Sequence, residues 1–253
     1  MPDLKQTLYD VVSENVNESK IAVAFSGGVD SSLLAKICKD LGKQVMLVTI
    51  GFPGSHDLGF AKAISSKMGM EWSGLEIDYK DFQEDLRHVR RVIKCENTSH
   101  IENCIAYFYV CKLTKQTGLE VVLSANGCDE LFCGYDGYRG VSSGGEEAII
   151  KLMDEKLANE FVLVEEISTI ASKVSITVKQ PFLSTKFITF AKTIPVDEKI
   201  KGPNDMMRKH ALREIALLIG VPKESAMAPK KALQYGSLID KYFKKASSYR
   251  FCI

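Results

Sequence analysis

The sequence has no apolar run near the roughly 20 residues needed to cross a bilayer. Its longest, around Ile21–Phe25 and Val45–Ile50, are far shorter, which excludes a transmembrane helix. A basic start leading into an apolar stretch is also missing. The first residues carry Asp3, Asp10 and Glu14 instead, so no secretory leader is expected. There is no C-x-x-C pair. The seven cysteines (Cys38, Cys95, Cys104, Cys111, Cys128, Cys133, Cys252) are odd in number and scattered, which fits a reduced cytoplasm rather than a disulfide framework. The tightest spacings, Cys104 to Cys111 and Cys128 to Cys133, are poor for structural zinc. The four histidines, His56, His88, His100 and His210, lack ligand spacing and read as surface or capping residues. Neither charge sign is in excess: 33 basic against 32 acidic residues give a net charge of +1, which offers no field that would argue for nucleic acid or a membrane. The basic run Arg87, Arg90, Arg91 and Lys94 has helical spacing and reads as a solvated face.

What is present suits a globular chain. In 253 residues, 45% are hydrophobic and 26% charged, ordinary values for one large domain or a domain with a smaller partner. Ile21–Phe25 is a short apolar strand running into Ser26-Gly27-Gly28, and Asp30, Ser31 and Ser32 then open a helix carrying Leu33, Leu34 and Ile37. The unit recurs in a strand over 44–50, a Gly/Pro/Ser loop over 51–57 and a helix over 58–68. Further strands are expected over 72–77 and 120–125, the latter after a helix bearing Ile101, Ile105 and Phe108. Strands alternating with helices predict a doubly wound, mostly parallel α/β sheet with right-handed crossovers. With strand one central and strand four on its far side, a switch point opens at the strands' carboxyl ends, where ligands bind. After Tyr138 the periodicity turns helical, with candidates over 149–157, 161–172, 185–193, 205–219 and 236–246. Residues 139–147 read as a mobile Gly/Ser connection. The expected division is an α/β core over 1–140 and a helical part over 141–253 that completes the active site.

The segment FSGGVDSS, Phe25 to Ser32, has two glycines that let backbone approach an anion, a helix amino end with free N–H groups, and serine hydroxyls as extra donors. Phosphate is the natural guest. Asp30 would repel a bare phosphate, which points to a bridging Mg²⁺. The segment is neither a Walker loop nor a G-x-G-x-x-G turn.

It resembles the pyrophosphate loop of the N-type ATP pyrophosphatases, which split ATP between its α and β phosphates to activate a substrate as an adenylate. Three further segments are similar to those of the asparagine synthetase superfamily: IGFPGSHDLGFA from Ile50 to Ala61, LSANGCDELFCGY from Leu123 to Tyr135, and QPFL from Gln180 to Leu183, with Arg208–Ile215 and Pro229-Lys230 following in order. The resemblance implies that Ser26, Gly27, Gly28, Asp30, Ser31 and Ser32 hold pyrophosphate and that Asp30 and Asp129 bind Mg²⁺. It also implies that Phe25, Ile50, Ser124 and Gly127 frame ATP, and that Lys230 reaches the α-phosphate while Asp129 and Asn126 complete the catalytic set. The expected activity is an AMP-forming ligase joining a carboxylate, by default aspartate, to ammonia or an amine.

The chain departs from that family at several positions. With the first strand at Ile21, no amino-terminal glutaminase half of the family's kind is expected, and free ammonia, an amine or a separate glutaminase subunit is expected to supply nitrogen; homo-oligomerisation stays open. Asn126 stands where the family carries a glutamate, and an amide cannot act as a general base. Ser184 replaces an aspartate, and Cys133 stands at a family glycine. Cys128 and Cys133 beside Asp129 leave open thiolation of RNA or a small molecule, against the reading of both as buried fillers. A nucleotide-binding subunit without catalysis is the third alternative. Asp57 is read as a helix cap, Lys230-Lys231 as either site residues or a solvated pair, and the Tyr107–Tyr109 cluster as core.

Overall fold

The computed structural model describes residues 3–248; Cys252 lies outside them. Five parallel strands, β1 (Lys20–Ala24), β2 (Gln44–Gly51), β3 (Glu71–Glu76), β4 (Val121–Leu123) and β5 (Thr177–Lys179), lie in the order β3-β2-β1-β4-β5. The doubly wound reading holds, with β1 central. In β1, Ile21 and Val23 join one buried cluster and Ala22 the other, because successive strand residues face opposite sides. One face is covered by α1 (Leu4–Asn15), α2 (Val29–Asp40) and α3 (His56–Met68). The other is covered by α4 (Tyr79–Ile93) and α5 (Thr98–Gln116).

Beyond β4 the chain makes two short helices, α6 (Cys128–Leu131) and α7 (Gly137–Val141), and then α8 (Gly145–Lys173), an unbroken helix of 29 residues. It continues through α9 (Thr185–Thr193), α10 (His210–Leu218), α11 (Lys223–Ala226), α12 (Leu233–Gly236) and α13 (Ile239–Ser248). Three expectations change. The 139–147 segment is helical, not a loose connection. The two helices expected over 149–157 and 161–172 are one, since Ile149, Met153, Leu157, Leu163, Ile167 and Ile170 keep a single buried stripe through the polar residues between them. Residues 205–209 are not helical: the Asp205 carboxylate accepts N–H bonds from Lys201, Met207 and Arg208 at 2.8, 2.9 and 3.0 Å, an alternative to helix that short acidic side chains offer. Ser184, at the family aspartate position, caps α9 by accepting from the Phe187 N–H at 3.4 Å.

Candidate active site

At the carboxyl ends of β1, β2 and β4, where β1 parts from its two neighbours, lies a cavity of about 260 Å³. Of the thirteen site residues that the resemblance implies, nine line it: Phe25, Ser26, Asp30, Ser31, Ile50, Ser124, Asn126, Asp129 and Lys230. Gly27, Gly28, Ser32 and Gly127 do not. Ser32 is fully buried and accepts from the Ser225 hydroxyl at 2.8 Å. Gly28 lines an adjoining depression that shares Ser26, Asp57 and Lys230 with the cavity. Gly127 turns the chain into α6 with φ +99°, and a Cβ there would sit 2.6 Å from the Phe182 carbonyl oxygen, so only glycine fits.

The first wall is the serine loop. Ser31 Oγ donates to the Gly28 carbonyl at 3.2 Å, and the Ser26 and Gly28 N–H groups donate to Ser31 Oγ and Ser26 Oγ, each at 3.3 Å. Gly28 precedes α2 without a side-chain cap, which leaves the helix amino end open to an anion.

Facing it is a quartet of charges. Lys209, which the sequence reading did not single out, is 1% exposed. Its ammonium donates to Asp30 Oδ2 and lies 2.6 Å from Asp129 Oδ1, while Lys230 donates to Asp129 Oδ2. Burial alone would raise the Asp129 carboxyl, but the two lysines outweigh it and hold the group well below the usual range. Lys209 shows the converse: burial pulls it down, and Asp129 and Asp30 outweigh burial and hold the ammonium above its ordinary value. Gly134 makes room for this contact, since a Cβ there would overlap both the Asp129 carboxylate and the Lys209 chain. Both lysines of the pair line the cavity: Lys230 is half-buried and held by Asp129, whereas Lys231 is exposed.

The third wall comes from α5, α6 and α8. Tyr107 donates to Asn126 Oδ1 at 2.6 Å, Ser124 donates to the same oxygen, and Asn126 Nδ2 donates to Glu160 Oε1. Glu160, 5% exposed, lines the cavity and was not anticipated. Burial raises its carboxyl, against the opposing bond from Asn126. Burial, then the Glu160 and Asp129 carboxylates, push Glu130 up to about 8; Glu130 also accepts from the Gly127 N–H at 3.1 Å and Tyr135 at 2.5 Å. The Tyr107 ring is core, as expected, but its hydroxyl belongs to this wall. Asp57 is not a cap: Ser55 precedes α3, and the buried Asp57 carboxyl lines the cavity with burial raising it. Cys128 and Cys133 are fully buried and do not line the cavity. Burial pushes Cys133 up to about 12 and Cys128 well above its ordinary value.

Asp30 and Asp129 fit Mg²⁺ by their chemistry, since both offer hard carboxylate oxygens. Asp30 Oδ1 is buried with no hydrogen-bond partner, an atom that a cation would satisfy.

The Asparagine synthase family matches this chain over residues 3–162 and 150–249. The chain belongs to that family. A Methanocaldococcus jannaschii protein named as an asparagine synthetase (glutamine-hydrolysing) is 29% identical over 92% of this chain and 48% of its own length. Asparagine synthetase B (glutamine-hydrolysing) of Escherichia coli is 26% identical over 84% of this chain and 41% of its own. This asparagine synthase family member thus spans about half the length of those relatives. A solved structure, the predicted subunit of a tRNA methyltransferase from Methanocaldococcus jannaschii, aligns with a TM-score of 0.38 at 18% identity over 85% of this chain and 95% of that one; so weak a likeness carries no argument about this chain. No helix among the described residues is long and apolar enough to cross a membrane.

Proposed function

We propose that this chain is an ATP-dependent, AMP-forming ligase that adenylates a carboxylate, by default aspartate, and passes the acyl group to ammonia or an amine. The observation that carries the reading is the convergence of the open serine loop with the Asp30–Lys209–Asp129–Lys230 quartet in a family member. ATP is a substrate. Its phosphates would lie on the Ser26–Ser31 loop and its adenosine against Phe25, Ile50 and Ser124. Mg²⁺, held by Asp30 and Asp129, would supply positive charge to the pyrophosphate.

The substrate carboxylate oxygen attacks the α-phosphorus and pyrophosphate leaves. Lys230, at the cavity edge, stabilises the charge that builds on the phosphate oxygens. Ammonia then attacks the acyl carbonyl, AMP departs, and the nitrogen sheds a proton. Asn126 cannot take that proton. The carboxylate hydrogen-bonded to its amide can, so Glu160 is the proton acceptor and Asn126 its positioning residue. Burial raises this carboxyl, which makes its carboxylate a stronger proton acceptor than an exposed one. Thiolation would instead need a thiolate facing the cavity, whereas both loop cysteines are buried as thiols. The nitrogen donor is free ammonia, an amine, or the product of a separate glutaminase subunit.

Incubation with ATP, Mg²⁺, ammonium and a panel of carboxylic acids led by aspartate should release AMP and pyrophosphate with one amide. Absence of AMP with every acid would overturn the reading and favour a binding-only subunit. With the acid identified, Glu160→Gln should slow amide formation by about a hundredfold while pyrophosphate release in the first turnover persists. The wild-type profile should rise with pH through a limb displaced above the ordinary carboxylate range, because the folded group keeps its proton to higher pH and is a base only without it. A variant that retains the limb would remove Glu160 from this role.

A further inference from the structure

We propose that Cys95, His100 and Glu166 form a binding site for a divalent cation of zinc type, separate from the Asp30–Asp129 pair. Sequence spacing hid this set. Cys95 lies in the link between α4 and α5, His100 in the first turn of α5, and Glu166 far along the chain on α8. The fold brings one donor atom from each within 4.8 Å of the others. His100 is 4% exposed, neither a surface nor a capping histidine, and among the described cysteines Cys95 is the one that is not buried.

The hydrogen bonds are compatible with a metal. His100 Nε2 lies 3.1 Å from Asn159 Oδ1, an oxygen to which a protonated Nε2 would donate. In that tautomer Nδ1 is the nitrogen left for a metal, and it faces Glu166 Oε2 at 2.8 Å. Two acceptors at that distance need a cation, either a metal ion or the proton of an imidazolium paired with Glu166. Metal-bound imidazoles characteristically donate their second N–H to an oxygen of this kind, which fixes the tautomer. On the sulfur side, the Asn97 N–H donates to Cys95 Sγ at 3.3 Å, a bond that supports a thiolate. Burial and the Glu166 carboxylate otherwise keep the thiol protonated, so metal uptake would release a proton.

Thiolate, imidazole and carboxylate together select zinc over magnesium. Three protein donors leave one tetrahedral position for water or a ligand group. The cation would pin the α4–α5 link to α8, whose Asn159 and Glu160 line the cavity beside His100. The proposal does not depend on the ligase reading.

The test uses the full chain, stripped with chelator and titrated with Zn²⁺ against a chromophoric competitor, with metal content read by mass spectrometry. One zinc per chain is expected, with a rise in thermal midpoint. Cys95→Ser should lose tight binding and the zinc-dependent rise while melting normally without metal. Asn159→Ala, which removes no ligand, should weaken binding by about tenfold. Glu165→Gln, one residue from the ligand and exposed, should leave affinity unchanged. If wild type binds no stoichiometric zinc, or Cys95→Ser binds it equally, the cluster is a His100–Glu166 ion pair alone and the proposal fails.

Discussion

Lys209→Met should destabilise the fold by about 3–5 kcal/mol, the usual cost of leaving buried charge without its partner. The substitution keeps most of the side chain's volume beside Gly134 but strips the ammonium from between two carboxylates that are 15% exposed. Lys230 still neutralises Asp129, so Asp30 carries the larger penalty. Adding Asp30→Asn should therefore return a good part of the loss. Urea unfolding followed by circular dichroism reads both, and a single-variant loss under about 1 kcal/mol would show that the quartet is more solvated than its burial indicates. The pH dependence has a defined sign. Asp129 titrates below its unfolded value, so its contribution is present above that value and is lost as pH falls through the lower folded one. Lys209 titrates above its unfolded value, so its contribution is lost as pH rises through the folded one. Between these limits, across the neutral range, the quartet's contribution is flat. In the Lys209→Met variant Asp129 moves back towards the ordinary range, and the acid limb of stability moves up with it.

Lys230→Ala should leave stability nearly intact and lower pyrophosphate release by about a thousandfold, the scale associated with removing one preorganised charge from a transition state. Lys230 is 22% exposed, and Asp129 keeps Lys209 when it goes, so on the proposed mechanism the two lysines should separate by readout, Lys209 affecting the fold and Lys230 the rate. Single-turnover release of pyrophosphate, measured with unfolding midpoints on the same preparations, distinguishes them. Loss of stability without loss of rate would assign Lys230 to the fold as well. Substrate affinity should change less than rate, because on the proposed mechanism the charge that Lys230 meets develops during attack at phosphorus.

The strands of this protein are legible in sequence because Ile21–Ala24 and Val45–Ile50 are apolar runs that end in glycine turns. Thr177–Lys179 is too short and too polar to announce itself, yet it pairs with β4 through all three residues. The first helix, Leu4–Asn15, is not among the elements that the apolar periodicity picks out, although Asp3 caps it through the Gln6 N–H. At the site, glycines, serines and acids stand in contiguous motifs and could be found. Lys209 could not: it lies at φ +55° just before α10, in a stretch that the periodicity assigned to a helix. Glu160 escaped for a related reason. It interrupts the apolar stripe of α8, and in sequence a polar interruption marks a helix end, whereas here it marks where the helix meets a polar cavity. His100, Asn159 and Glu166 share the fate of any constellation assembled from distant segments.

The continuity of α8 has a consequence for insertions and deletions. One inserted residue advances an α-helix by about 100°, so a single insertion between Leu157 and Glu160 would turn everything beyond it out of phase. Glu160 would leave Asn126, Glu166 would leave His100, and Leu163 and Ile167 would turn off the buried face together. Four inserted residues nearly restore the phase, at the cost of about 6 Å of translation. The middle of this helix therefore tolerates substitution far better than any change of length, whereas the segment over 142–144 ahead of it, exposed or half-buried, can absorb extra residues without disturbing the cavity.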